Sequence, residues 1–358
     1  MKLIVFCILL SYSFIGLLSQ VTKCLTISAG GLESQLSPSE SRNVHRLVLK
    51  GTMDARDFKV IRDNYTSLIY IDLEDVKIVS HSGSGGTGMD RLDQFPEDAI
   101  PENAFWSPKT LMGMLKLEKC ILPSSVKIIG STAFQNCKAL VEVKMPPGLV
   151  HIANYAFSGC SSLSKLNLPN QLEFIGGFPF YNCQLLEQLK LPASVRFIGY
   201  GAFKRSGSIE VDASNLYYTS VDGVLFNKDT TRLIYCPIHK TGNYVVPSSV
   251  TVIGGEAFSG CEHLVSVTLP EGLKSIGDYA FSDCTGLRMI ITLSSVPINL
   301  RESIFVFHRV DKAKCTLYVP QGADLNYLAA GQWDEFVLIE SLSGQSLPST
   351  ETSSVNGE

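Results

Sequence analysis

Ile152–Pro169 reads IANYAFSGCSSLSKLNLP, and one step later Ile175–Pro192 reads IGGFPFYNCQLLEQLKLP. The two align without a gap, Ile152 on Ile175 and Pro169 on Pro192, and Ile129–Pro146, IGSTAFQNCKALVEVKMP, aligns one step earlier. Phe134, Phe157, Phe180 and Phe203 mark this step, and Phe258 and Phe281 repeat it further along. A self-similar unit of this length is the signature of a solenoid, in which each unit buries its apolar face only against its neighbours. Such a stack offers extended surfaces rather than one enclosed pocket.

Within one unit, Leu166 and Leu168 alternate with Lys165 and Asn167, the period of a half-buried strand. Pro169 ends that strand because a ladder interior cannot spare the amide hydrogen. Asn170–Gln171 has turn chemistry, and Leu172–Ile175 starts a second short strand closed by Gly176. The A-F-x-x-C phrase then brings the chain back, as a helical turn or a short 3₁₀ piece. The expected fold is a leucine-rich repeat solenoid over residues 101–310, mainly β with short helical turns and capped at both ends. Its period, about 23 residues, lies within the range of such repeats.

The step from Phe203 to Phe258 is more than twice as long as the earlier ones, so one repeat there carries an insertion. Asp222–Gly223 between apolar runs signals a hairpin, and residues 209–247 are expected as irregular rungs with a projecting hairpin, still inside the stack. Residues 25–100 are expected to form the N-terminal cap, with strands at Leu47–Leu49 and Ile69–Leu73 and a helix Ala55–Asn64 behind Asp54. Residues 311–340 form the other cap, where Tyr327, Trp333 and Phe336 can cover the last rung. Residues 341–358 are rich in Ser and Thr, a composition expected to stay disordered.

At the start, Lys2 precedes the apolar run Leu3–Leu18, and polar residues end it. This is the pattern of an export signal, expected over residues 1–24. It implies an exported chain, secreted or surface-associated, with no membrane span once the signal is removed. Cys24 raises a lipid-anchored alternative, but Lys23 stands where that processing wants a small residue.

Ten cysteines in an exported chain would ordinarily suggest disulfides. Here Cys137, Cys160, Cys183, Cys261 and Cys284 each stand at the same place after the repeat Phe and so share one structural column. A small apolar thiol suits a tight interior position. They read as a buried ladder of free thiols, with disulfides between neighbouring rungs as the alternative. Cys120, Cys236 and Cys315 lie off this column and have no assigned partners.

No constellation supports catalysis, a metal or a cofactor. Gly83–Gly88 matches G-x-G-x-x-G by letter, but lacks the preceding strand and following helix that a dinucleotide needs. The six histidines are scattered, and His151 shares a strand column with Ile128, Phe174, Phe197 and Val252, so it reads as structural. Asp72, Glu74 and Asp75 are too few to supply the oxygens that calcium takes. With 30 Lys and Arg against 34 Asp and Glu, no basic stripe exists to bind nucleic acid.

The phrase I-G-x-x-A-F-x-x-C-x-x-L-x-x-V-x-L-P resembles the BspA-like leucine-rich repeat over about residues 100–310. The start LTISAGGLESQL, the GTMDARDF segment and the CTLYVPQGA end are similar to secreted repeat proteins of host-associated Bacteroidales. The resemblance implies a surface or secreted protein of a host-associated bacterium whose role is adhesion or protein binding; with no catalytic constellation, the chain reads as non-enzymatic, with a host or bacterial surface protein or glycan as partner. It defines no catalytic residues.

The positions that vary between rungs suggest where such a partner would sit. The pairs expected to face outward are Glu142/Lys144, Lys165/Asn167, Gln188/Lys190 and Ser266/Thr268, stacked on one sheet face with a positive bias from the lysines. Either this face merely solubilises the stack or it binds an acidic protein or glycan. The hairpin aromatics Tyr217, Tyr218 and Phe226 are a second candidate, as anchors or as packing. Two other classes stay open: a self-associating structural surface component, and a secreted enzyme with a site in the N-terminal region.

Overall fold

Each rung of the chain lays down two short strands and a turn, and these stack into two parallel ladders. The computed structural model describes residues 20–88 and 93–342. The first ladder begins with Val21–Ile27, Val44–Met53, Tyr70–Ile78, Lys119–Ile121, Glu142–Lys144 and Lys165–Leu166. It continues as the pair Gln188–Leu191 and Ser208–Val211, then as Gly242–Val245, Leu264–Leu269, Met289–Thr292, Thr316–Val319 and Leu338–Ser341. The second ladder joins Ala99–Ile100, Ile128–Ile129, His151–Ile152, Phe174–Ile175 and Phe197–Ile198, with Ile128, His151, Phe174 and Phe197 in register. After an interruption it resumes with Arg232–Tyr235, Val252–Ile253 and Ser275–Ile276.

The repeat phenylalanines form a spine in two runs, Phe105 to Phe203 and Phe258 to Phe307, parted where Phe203 meets Tyr235 and Phe258 meets Tyr244. Ring centroids lie 5.0 Å apart for Phe134–Phe157, 5.9 Å for Phe157–Phe180 and 6.0 Å for Phe180–Phe203, all stacked nearly parallel. Phe105 extends the spine by 4.6 Å below Phe134, and Phe307 extends it by 5.7 Å beyond Phe281. Every one of these rings is fully buried or nearly so. Burial of a side chain of this size contributes about 1.5–3 kcal/mol, and each rung adds such a ring to its buried leucines, valines and isoleucines.

Beside the spine runs a ladder of free thiols. Cys137, Cys160, Cys183 and Cys284 are buried, and each donates its Sγ hydrogen to the carbonyl of the Phe one rung back, at 3.5, 3.0, 3.2 and 3.1 Å. Burial pushes the Cys137 and Cys183 thiols up to about 12. These groups are inert at neutral pH.

The A-F-x-x-C segment is not the helical turn that the sequence suggests. Each return carries two residues in the left-handed region, which break any 3₁₀ run. The second column holds Asn136, Gly159, Asn182, Arg205, Gly260, Asp283 and Arg309, mostly residues that tolerate this conformation. The first column holds Thr132, Tyr155, Phe178, Gly201, Glu256, Tyr279 and Phe305 at φ between 46° and 62°. Bulky side chains persist there because the backbone is tied to the next rung. Tyr155, Phe157 and Gly159 donate their N–H groups to the carbonyls of Gly177, Pro179 and Tyr181 at 2.9, 2.9 and 2.8 Å.

The strands of the N-terminal region continue the first ladder. Helix Ala55–Asn64 is capped by Asp54 in a reciprocal capping box with Asp57, and its Phe58 meets Phe105 edge-on at 5.9 Å. The sheet starts at Val21, upstream of the expected boundary at residue 25, because Val21–Ile27 pairs in parallel with Val44–Met53. Residues 1–19 of the expected signal and 343–358 of the expected tail lie outside the described residues. At the far end Trp333 packs 5.0 Å from Phe307, donates to the Ile298 carbonyl at 2.9 Å, and closes the spine with Phe336 and Tyr327.

Residues 209–247 stay inside the stack, and the hairpin is packed into it. The antiparallel hairpin Tyr218–Val221/Val224–Asn227 buries Val224, Leu225 and Phe226. The core divides here into two clusters, one ending at Leu225 and Tyr235, the other starting at Val224, Phe226 and Leu233.

Candidate binding surfaces

On the first ladder, outward charges are matched across the strands, Lys144 reaching past Lys119–Ile121 to the strand beyond. Glu142 accepts from Lys119 at 2.7 Å, Lys144 reaches Glu74 at 2.7 Å, and Lys190 reaches Glu210 at 3.1 Å. Gln188 also donates to Glu210, at 3.0 Å. The Glu74 carboxylate raises the Lys144 ammonium above its ordinary value, and the pair lies open to solvent that screens it. Lys165 alone of the three lysines makes no ion pair among the described residues. The positive bias expected of this face is therefore largely cancelled.

Ser266 and Thr268 do not face solvent, at 2% and 4% exposed. They sit between longer side chains on the paired strands, Asn243 and Val245 on one side and Met289 and Ile291 on the other. Ser266 hydrogen-bonds Asn243 at 2.7 Å. The eight residues also fall in three separate sheets: Glu142, Lys144 and Lys165 in the first, Gln188 and Lys190 in the second, Ser266 and Thr268 in the third, with Asn167 just past the end of the first. They do not form one continuous row.

The second ladder presents a different surface. Ile128, His151, Phe174 and Phe197 each precede the inward isoleucine of their strand, so the period of two turns them outward. His151 stacks on Phe174 at 5.8 Å, Phe174 lies 6.2 Å from Phe197, and the Arg196 guanidinium covers Phe174 at 4.7 Å. Phe197 remains 52% exposed. Packing between its neighbours pulls the His151 imidazole below its ordinary value and favours the neutral ring. A second row follows on the turn, where Tyr155 stacks on Phe178 at 5.4 Å and Tyr200 meets Phe178 edge-on at 5.4 Å. Tyr155 and Tyr200 are exposed. The column is visible in the sequence, but its exposure is not, because such short strands leave the neighbouring turns to decide what is covered.

Of the hairpin aromatics, Phe226 is 1% exposed and belongs to the core. Tyr218 accepts a hydrogen bond from the Ile198 N–H at 3.1 Å, which leaves Tyr217 as the outward ring. The acidic group near residue 72 is internally satisfied: Asp72 accepts from Tyr70 at 3.1 Å, Glu74 holds Lys144, and Asp75 pairs with Lys50 at 2.8 Å. Among the described residues no cluster of His, Cys, Asp and Glu could hold a metal ion. Gly83–Gly88 lies between the short strands His81–Ser82 and Gln94–Phe95, and among the described residues no βαβ unit surrounds it.

Comparison with known proteins agrees with this architecture. A leucine-rich repeat protein of Eubacterium ventriosum shares 19% identity at a TM-score of 0.50, covering 83% of this chain and 73% of its own. A leucine-rich cell surface protein of Faecalibacterium prausnitzii shares 18% at a TM-score of 0.44, covering 85% and 84%. The leucine-rich repeat protein of T. pallidum shares 30% at a TM-score of 0.34, covering 56% and 75%. No curated protein matches the chain. The BspA type leucine-rich repeat region matches in six copies over residues 100–229 and 235–316, more than half of the sequence. The chain belongs to the BspA-type leucine-rich repeat family.

Proposed function

We propose that the chain is an exported, non-catalytic binding module that holds a macromolecular partner, a protein or a glycan, at a cell surface. The observation that carries this reading is the outward row Ile128, His151, Phe174 and Phe197 on four consecutive rungs, with Ile128 and Phe197 exposed and His151 and Phe174 half-buried between them. Rigid aromatic side chains lose little freedom on binding and act as anchors, and a row of them sums many modest contacts along an extended ligand. Glu142, Lys144, Lys165, Asn167, Gln188 and Lys190 form a polar flank on the other ladder, where internal ion pairing suits solubility better than capture of an acidic partner. Ser266 and Thr268 are too deeply placed to take part. Export is supported by the apolar run Leu3–Leu18 ahead of the first strand.

Two measurements test the reading. Antibody labelling of intact cells checks the location, and signal seen only after lysis would refute a surface role. Incubation of the full chain with extracellular-matrix and mucin fractions, followed by mass spectrometry, checks the activity. A saturable protein or glycan partner is expected, whereas self-association alone would point to a structural component.

A further inference from the structure

The second ladder is interrupted where one rung is too short. Leu233 pairs with Ile253, and the Cys236 N–H donates to the Ala257 carbonyl at 2.7 Å, the bond that the repeat Phe makes in a full rung. The chain from Leu233 to Cys236 is shorter than the matching run from Ile253 to Phe258. The missing backbone is the part that would lie against Gly199–Phe203.

Its absence leaves donors without acceptors. In the rungs before and after, three alternate N–H groups of the turn donate to the next rung: Phe178, Phe180 and Asn182 reach Tyr200, Ala202 and Lys204, and Glu256, Phe258 and Gly260 reach Asp278, Ala280 and Ser282. The equivalent N–H groups of Gly201, Phe203 and Arg205 find no acceptor among the described residues. Across the gap, of the matching carbonyls of Gly255, Ala257 and Ser259, only Ala257 is taken. Between them opens a cleft of about 450 Å³ lined by Gly201, Phe203 and Gly255 and by Arg196, Lys204, Arg232 and Glu256. Arg196 pairs with Glu173 at 2.6 Å, just outside this lining, so Arg232 is the lining cation left without an ion pair among the described residues.

Side chains bridge the cleft and hold its width. Lys204 pairs with Glu256 at 2.7 Å, and Glu256 is only 6% exposed. Tyr200 lies over Gly255 and donates to the Asp278 carbonyl at 3.4 Å. Tyr235 donates to the Ser206 carbonyl. The site is thus a fixed gap with unpaired main-chain groups on both walls and one uncompensated cation, Arg232.

We propose that this cleft docks an extended, acidic peptide segment of a partner protein, which supplies the missing rung backbone. Its alternate carbonyls accept from Gly201 and Phe203, one of its N–H groups donates to Gly255, and its carboxylate faces Arg232. This is strand addition to an open ladder edge, in which the main chain supplies affinity and the flanking charges supply selectivity. The site borders the end of the aromatic row, where Arg196 both lines the cleft and covers Phe174, but it uses main-chain groups that the row does not.

The probe is the acetylated and amidated pentapeptide Ile-Gly-Asp-Tyr-Ala, the sequence of Ile276–Ala280, whose Asp278 and Ala280 carbonyls already accept from Glu256 and Phe258 at 2.9 and 2.8 Å within the stack. Amide exchange of the full chain is followed with and without this peptide. The Gly201 and Phe203 amides are expected to exchange freely in the unbound chain and to slow by roughly tenfold or more at saturation. Arg232→Glu is expected to weaken the peptide at least about tenfold, with thermal stability unchanged because Arg232 is exposed. Either of two results overturns the proposal: no slowing of these two amides at the solubility limit of the peptide, or equal binding by Arg232→Glu.

Discussion

The Cys160 thiol donates to the carbonyl oxygen of Phe134, one rung back, at 3.0 Å. The same carbonyl accepts from the Cys137 N–H at 3.1 Å, so both of its lone pairs are used. This explains why the column is cysteine and not alanine or valine: the position needs a small apolar group that can also donate. Because burial pushes these thiols up, native protein treated with iodoacetamide under mildly alkaline conditions is expected to label Cys24 and spare the other described cysteines. Rapid labelling of Cys160 or Cys183 in the folded chain would refute the buried ladder.

Phe157 sits between Phe134 and Phe180 at 5.0 and 5.9 Å. Phe157→Ala opens a cavity in the middle of the spine and is expected to cost about 3–5 kcal/mol. Denaturant unfolding measures this directly. A loss well under that range would mean that the rungs are not coupled through the aromatic column.

Asn182 holds φ at 60° in the second left-handed column. Asn182→Ala forces a side chain without local hydrogen bonding into that conformation, at a cost of about 1–2 kcal/mol. Asn182→Gly is expected to restore most of the stability, since glycine adopts positive φ without a steric penalty. Equal stability of the two variants would show that the turn relaxes out of this geometry.

His151 gives the stack a pH dependence whose direction is fixed by its surroundings. Its folded-state value is depressed, so the unfolded chain takes up the proton first as pH falls below about 6.5. Stability from this group is full above that value and declines as pH drops towards the lower folded-state value. Unfolding free energies over this range are expected to fall less steeply in His151→Phe than in the parent. A steeper decline in the variant would reverse the assignment.

The triple variant Lys144→Ala, Lys165→Ala, Lys190→Ala is expected to fold and melt like the parent, because these lysines face solvent and the ion pairs that Lys144 and Lys190 make are screened. A large drop in melting temperature would give the polar ladder a structural role that its exposure argues against.

Much of this architecture is legible in the sequence because a solenoid writes its contacts locally. A residue and its neighbour one rung away are separated by one constant step, so Phe134, Phe157 and Phe180 announce a spine before any coordinates exist. Phe105 and Phe307 belong to the same spine, but their steps to Phe134 and from Phe281 are longer than the regular one, which hides them. The first of these carries the small hairpin Trp106–Ser107/Met112–Gly113 as extra chain. The outward row is harder to read. Ser266 and Thr268 occupy the same repeat positions as Glu142 and Lys144, yet they are covered by the side chains of adjacent strands. The short rung Leu233–Cys236 leaves no periodic trace, because a small deletion inside an insertion erases the alignment that would reveal it.

The central claim, that the row on Ile128, His151, Phe174 and Phe197 is the binding surface, is tested most directly by one comparison. Retention of the parent and of Phe174→Ala/Phe197→Ala is measured on the same matrix and mucin fractions, with thermal melting of each as a folding control. The expected result is a loss of at least about tenfold in retention, with little change in melting, since Phe197 is half exposed and neither ring belongs to the spine. Undiminished retention by the folded double variant would contradict the account and return weight to the polar face of the first ladder.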